Sequence, residues 1–287
     1  MGLRLGQHFL KSGEILKRII SALDLKGRDF VVEIGPGHGE LTRYLVESGA
    51  TVIAIEKDKR LVEYLSKKFE ARSAESETIS KSRTLNSKLN VIEGDALEVL
   101  PNLTHNSQLT THDWKLVGNI PYYITGHLLR IIGDLEQKPS LTILLIQKEV
   151  AKRICARPLE MTRSKNSGSS RASRGMNLLA ASVQFWAEPG ILFYVKKGNF
   201  NPPPKIDSAV IKLETKDIAG YKVDTNKYYS FTKKLFKQPR KTILNNLLAG
   251  GYEKEKIIEV LGEVGINPTN RPQNLSLDDI IHISLLL

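Results

Sequence analysis

Phe30-Val31-Val32-Glu33-Ile34-Gly35-Pro36-Gly37-His38-Gly39-Glu40-Leu41-Thr42 is a β-branched run that enters a glycine-rich turn and leaves it as a helical pattern. Glycines at such a turn let the backbone bend sharply and approach a ligand without a Cβ in the way. A dinucleotide fingerprint wants glycine at the first, third and sixth positions of the turn; here Glu40 holds the sixth and Gly39 the fifth. No pyrophosphate cradle is therefore expected. The absence of a following Gly-Lys-Ser/Thr excludes a nucleoside triphosphate loop. What remains is the first strand, turn and helix of an open α/β sheet.

Three further strand ends carry polar groups. Thr51-Val52-Ile53-Ala54-Ile55 ends at Glu56, about 20 residues beyond the glycine turn, where an acid can hold both hydroxyls of a ribose. Asn90-Val91-Ile92-Glu93-Gly94 ends at Asp95, placed to accept from an adenine amino group. Trp114-Lys115-Leu116-Val117-Gly118 feeds Asn119-Ile120-Pro121-Tyr122. In that order an Asn oxygen and the carbonyl of Pro121 or its neighbour can accept the two hydrogens of an amine, while Tyr122 stacks on its ring. Any one strand-end Asp or Glu is an ordinary turn former. All of them at the carboxyl ends of successive strands, where open α/β sheets bind ligands, read as an S-adenosylmethionine site beside a base pocket. The chemistry expected is methyl transfer.

Gly6-Gln7-His8-Phe9-Leu10, Glu33 to Gly39, Gly94-Asp95-Ala96-Leu97, Gly118 to Tyr122, Gln147-Lys148-Glu149-Val150-Ala151, Pro204-Lys205-Ile206-Asp207-Ser208 and Arg240-Lys241-Thr242 occur in this order. In these motifs the chain resembles the ribosomal RNA adenine dimethyltransferases. The resemblance is collinear from residue 6 to about 275, apart from two insertions. It implies a Rossmann-like class I methyltransferase fold with a small C-terminal all-helical domain, and dimethylation of two adjacent adenosines near the 3′ end of small-subunit (16S-type) ribosomal RNA. It further implies that His8 and Leu10 line the methionine side of the cofactor with Gly35 under it, that Gly37 also binds the cofactor, and that Glu56 holds the ribose and Asp95 the adenine edge. Asn119 would then lie between cofactor and target amine, with Pro121 in the same loop and Phe200 facing Tyr122 across the flipped base. The chain departs from the family pattern at His8 and Tyr123, where Asn is more usual.

Composition bounds the rest. The chain has 287 residues, 41% hydrophobic and 25% charged, as expected of a globule with one large core or a core plus a small satellite. We expect domains at 1–217 and 218–287, the second built from helices over 228–248, 253–264 and 277–287. Residues 71–88 and 160–175, rich in Ser, Arg, Lys and Thr, read as mobile inserted loops. No run reaches the ~18 apolar residues of a membrane helix, and the first thirty residues hold no signal-peptide core. A cytoplasmic monomer is expected, without metal, since the single cysteine, Cys155, and six scattered histidines form no ligand set. The lone cysteine also argues against pyrimidine-carbon methylation.

Net charge is +11, which points to a polyanionic partner. Eight Lys or Arg face two acids between Lys148 and Arg174, and residues 233–241 hold five and no acid. Lys148, Arg153, Lys237, Arg240 and Lys241 are the expected RNA contacts. Three other readings share parts of this pattern: a macrolide-resistance methyltransferase acting on large-subunit RNA, a DNA adenine methyltransferase, and a non-enzymatic RNA-binding assembly factor. The 147–151 and 237–241 segments lean toward the small-subunit enzyme, and the collinear motifs argue against the DNA enzyme.

Overall fold

The computed structural model describes residues 8–27, 29–77, 88–106, 109, 113–158 and 175–287. In chain order the elements are β1 (Phe9–Leu10), α1 (Gly13–Ala22), β2 (Phe30–Ile34), α2 (Glu40–Glu47), β3 (Thr51–Glu56), α3 (Lys59–Glu77), β4 (Leu89–Glu93), α4 (Ala96–Asn106), β5 (Trp114–Asn119), α5 (Thr125–Asp134), β6 (Leu141–Gln147) and α6 (Lys148–Ile154). They continue with α7 (Leu178–Gln184), β7 (Ala187–Val195), β8 (Phe200–Asn201), β9 (Ser208–Thr215), α8 (Thr225–Leu235), α9 (Ile243–Ala249), α10 (Lys254–Glu263) and α11 (Leu277–Leu286). The chain forms two compact units, 1–148 with 190–215, and 149–189 with 216–287. Residues 149–189 thus group with the C-terminal helices, whereas the sequence reading put them with the sheet.

The first unit is built on a seven-stranded sheet of order β4-β3-β2-β5-β6-β9-β7. β4 through β6 run parallel and β9 is antiparallel to β6. Parallel strands are covered on both faces and so read as near-continuous apolar runs. Val31, Val32, Val52, Ala54, Leu116 and Leu144 are all fully buried. The strand order reverses at β2, which pairs β3 on one side and β5 on the other; that switch point is where doubly wound sheets open a crevice. Helix α1 starts where Ser12 accepts a hydrogen bond from Ile15 N and packs Leu16 and Ile19 into the core. A separate two-stranded ribbon pairs β1 with β8, Leu10 opposite Phe200.

The second unit has its own core, in which Phe185 stacks on Tyr228 at 4.0 Å between ring centroids, with Phe231, Leu247, Val260 and Ile283 around them. The helix expected over 228–248 is two helices, α8 and α9, broken at residues 236–242 around Pro239, which has no N–H to continue the ladder. The other two expected helices are present as α10 and α11. α3 runs as helix to Glu77, so the first part of the expected 71–88 loop is helical; residues 78–87, and 160–174 of the second expected loop, lie outside the described residues.

Candidate active site

The glycine turn after β2 has the geometry its sequence requires. Gly35, Gly37 and Gly39 sit at φ +68°, +60° and +79°, a region that costs an L-residue roughly 1–2 kcal/mol. A Cβ on Gly37 would stand 2.7 Å from the Phe9 ring, so this glycine also lets the β1 ribbon close over the turn. On the other side of the switch point, a Cβ on Gly118 would lie 2.6 Å from the backbone oxygen of Ile34, which cannot move aside. β2 and β5 therefore approach closely where the site opens, and Asn119 follows immediately.

Glu56 ends β3 buried at 4% exposure. Its Oε2 accepts from Gly37 N at 3.2 Å and its Oε1 from Asp58 N at 2.9 Å. Burial pushes its carboxyl up, and those backbone donors oppose the shift. Each oxygen keeps a lone pair for a ligand hydroxyl. Asp95, after β4, accepts from Lys57 Nζ at 2.6 Å and Leu97 N at 3.0 Å. The Lys57 ammonium holds it below the usual carboxylate range, so it is an acceptor at neutral pH.

Asn119 Nδ2 donates to the backbone oxygen of His8 at 2.8 Å. A carbonyl only accepts, so this bond fixes which end of the amide is which and leaves Oδ1, without a partner among the described residues, to the cleft. His8 Nδ1 donates to Pro202 O at 2.9 Å, tying the chain before β1 to the chain after β8. Tyr122 lies against the His8 ring, with centroids 6.2 Å apart, and its hydroxyl pairs with Ser208 Oγ at 2.9 Å. Burial raises the Tyr122 phenol, which stays neutral. Phe200 is only 3% exposed, a wall of the cleft more than a surface in it.

His8, Gly35, Gly37, Glu56, Asn119, Pro121, Tyr122 and Phe200 line one cleft. A neighbouring cleft shares Gly35, Glu56 and Pro121 with it and is lined also by Lys57, Asp95 and Tyr123. A third shares Phe9, Gly35 and Asn119, and is lined by Leu10, Leu16 and Glu33. These make one groove along the carboxyl ends of β2 to β5. Every cofactor and base-pocket residue read from the sequence lines it. Glu33 was not assigned a role in that reading. It is 2% exposed, its Oε2 has no hydrogen-bond partner, and burial pushes its carboxyl up to about 8, with Glu40 and Glu56 adding to the shift and the adjacent Thr42 opposing it. A lone acid inside an otherwise apolar strand was the available signal.

The expected RNA contacts divide between the units. Lys148 belongs to the sheet unit, directly after β6. Arg153, Lys237, Arg240 and Lys241 belong to the helical unit, all exposed. There the buried Asn246 organises the basic loop: its Oδ1 accepts from Gln238 N at 2.9 Å and its Nδ2 donates to Gln238 O at 3.0 Å and Thr242 O at 3.0 Å. Cys155 is half-buried, with its thiol pushed up to about 11 by burial, so it is no nucleophile. Among the described residues no group of His, Cys, Asp and Glu is arranged to hold a metal, and no helix is long and apolar enough to cross a membrane.

A doubly wound sheet with a glycine turn at its switch point, acids at the next two strand tips and an Asn-Ile-Pro-Tyr loop defines a Rossmann-like methyltransferase. Residues 3–287 match the family described as ribosomal RNA adenine dimethylase, and the chain belongs to that family of methyltransferase enzymes. The Ribosomal RNA small subunit methyltransferase A of Dehalococcoides mccartyi is 35% identical over 277 residues, 96% of this chain and 84% of that one. The crystal structure of a dimethyladenosine transferase from Plasmodium falciparum superposes with a TM-score of 0.73 at 25% identity, covering 96% of each chain. That of the 23S rRNA methyltransferase ErmE, at 20% identity and TM-score 0.66 over 97% of this chain and 99% of that one, shares the fold.

Proposed function

We propose that this enzyme uses S-adenosylmethionine to dimethylate the exocyclic amines of two adjacent adenosines near the 3′ end of small-subunit ribosomal RNA, as a cytoplasmic monomer. The observation that carries the reading is the fixed Asn119 amide, whose free oxygen faces the cleft that Tyr122 and Phe200 also line. The family membership and the small-subunit name of a 35% identical relative support the choice of substrate. The groove fits the cofactor: acceptors at Asp95 and Glu56 suit an adenine edge and a ribose, and the orphaned buried Glu33 Oε2 suits the ammonium at the far end. Leu10, Gly35 and Gly37 line the same clefts. Bound there, the cofactor would supply an already activated methyl group.

The protein's own part is extrusion, orientation and desolvation. An adenine amine is a poor nucleophile because its lone pair is delocalised into the ring. Acceptance of its hydrogens by Asn119 Oδ1 and a main-chain oxygen of the 119–122 loop favours a pyramidal nitrogen with its lone pair directed at the methyl. Tyr122, pinned by Ser208, stacks on the base, and a stack of this kind is worth roughly 1–3 kcal/mol against an extrusion cost of a few kcal/mol. No strong base is needed, since the amine becomes acidic once it has attacked. Arg153, Lys237, Arg240 and Lys241 on the helical unit, together with Lys148, would take phosphates, with residues 218–287 acting as an RNA-binding domain. The test is label transfer from S-adenosylmethionine to unmethylated small and large subunits in parallel, followed by nucleoside digestion. Dimethyladenosine from the small subunit alone is expected; label confined to the large subunit, or none, refutes the reading.

A further inference from the structure

Edge strand β7 places a tyrosine where a water-facing strand has no structural need of one. Leu192 and Tyr194 alternate onto its outer face, 38% and 52% exposed. Lys148 Nζ sits 5.0 Å from the centre of the Tyr194 ring, within cation–π range. Lys196 and Lys197 follow in the chain and Lys205 lies in the next loop, all exposed and none with a carboxylate partner among the described residues. Asp207, the acid nearest in sequence, is engaged by backbone: its Oδ1 accepts from Lys197 N at 3.1 Å and its carbonyl from Lys148 N at 3.1 Å.

The same interactions join this patch to the base pocket. Lys148 follows Gln147, which pairs with Ser208, and Ser208 holds the Tyr122 hydroxyl. The turn Lys197–Asn199 leads directly into Phe200. Tyr194 and Tyr122 are thus the two ends of one short connected series, Tyr194–Lys148–Asp207–Ser208–Tyr122. We propose that Tyr194, Lys148, Lys196, Lys197 and Lys205 form a platform for the RNA strand beside the target adenosine, with Tyr194 stacking on a flanking base and the lysines on its phosphates. An exposed aromatic with one ammonium against its ring and further unpaired lysines in the same and the next loop suits a single strand, whose bases each offer a π-face between regularly spaced negative charges. It suits a protein partner less well, because four lysines would have to be desolvated or matched by acids.

The proposal rests on the function proposed above, and the tests separate the two. The chain carries two tryptophans, Trp114 and Trp186, each 1% exposed. Tyr194→Trp therefore adds the one exposed indole, and its fluorescence should be quenched by hexa-adenylate RNA while the unsubstituted protein shows little change. Tyr194→Ala should raise KM for unmethylated small subunits roughly five- to a hundredfold, the loss of one stack, with most of the effect in KM; Tyr194→Phe should restore it. Lys196→Ala with Lys197→Ala should lower the slope of log affinity against log salt by roughly 0.7 for each phosphate no longer neutralised. Unchanged KM in Tyr194→Ala, or Tyr194→Phe as impaired as Tyr194→Ala, overturns the platform. So does a raised KM without quenching by RNA, which would place a ribosomal protein there. If the unsubstituted enzyme transfers no label to small subunits, the parent reading has failed instead, while quenching still reports on the platform.

Discussion

Glu33→Gln is expected to make the ligand-free protein more stable while weakening its hold on the cofactor. The Glu33 carboxyl is pushed from its ordinary 4.5 up to about 8. Below 4.5 it is protonated in both folded and unfolded chains and contributes no pH dependence. Between 4.5 and 8 the unfolded chain ionises and the folded one does not, so the folded state binds more protons and stability falls as pH rises, by ~1.4 kcal/mol per unit. At pH 7 the accumulated cost is about 3 kcal/mol, and above pH 8 it levels near 5 kcal/mol. Glutamine has nearly the same shape and cannot ionise. The variant should therefore equal the parent within ~1 kcal/mol at pH 5 and exceed it by about 3 kcal/mol at pH 7. Denaturant melts of both proteins from pH 5 to 9 measure this directly, since the difference between the two curves isolates the one group. A difference that stays flat with pH, or a variant less stable at pH 8 than at pH 5 relative to the parent, would refute the assignment of that raised carboxyl. Binding reverses the preference: a cationic ligand end at Glu33 favours the carboxylate. Calorimetric titration of the parent should accordingly show proton release near neutral pH that Glu33→Gln lacks, with affinity at least about tenfold weaker in the variant.

Other outcomes follow from the same geometry. Asn119→Ala should cut turnover on the order of a hundredfold or more, by analogy with the loss of one oriented polar group at a reacting centre, while S-adenosylmethionine binding by calorimetry changes far less. Tyr122→Phe keeps the stacking ring and loses only the Ser208 bond, so it should retain most activity, whereas Tyr122→Ala should lose roughly five- to a hundredfold in kcat/KM. Gly118→Ala drives a Cβ to 2.6 Å from the Ile34 oxygen and should destabilise the fold by at least about 2 kcal/mol in denaturant melts, because backbone cannot yield. Gly262→Ala, in α10 with nothing within 4 Å of its Cβ, should instead be neutral or stabilising by up to ~1 kcal/mol.

The parts of the site that sequence made legible are those in which one residue type answers one local need. Gly35, Gly37 and Gly39 had to be glycines because their φ is positive, and β2, β3 and β5 had to read as apolar runs because both faces of a parallel sheet are covered. Strand tips then place Glu56, Asp95 and Asn119 on one edge with no further information. What stayed hidden depends on interactions between segments far apart in the chain. The orientation of the Asn119 amide is set by the backbone of His8, 111 residues away, and the pinning of Tyr122 by Ser208, 86 residues away. α7 and β7 follow a long polar stretch and went unread, and with them the exposure of Tyr194. The break between α8 and α9 was signalled by Pro239 but masked by a helical period that continues on both sides of it.

Glu33 is the instructive case, because local pattern and tertiary demand conflict in one residue. In β2 the other residues are apolar and Val31, Val32 and Ile34 are buried, and a carboxylate there costs stability that a hydrophobic residue would not. The cost is smallest when the group is neutral, which is how an empty groove would keep it. It turns to advantage only when a positive charge enters, and the cleft that Glu33 lines has no Lys or Arg among its lining residues. An acid kept neutral until its ligand arrives binds cations without attracting protein cations to the same place. The sequence rule violated at position 33 is thus violated where the proposed cofactor's charged end would lie, and the same buried oxygen accounts for both the instability and the specificity that the pH experiment separates.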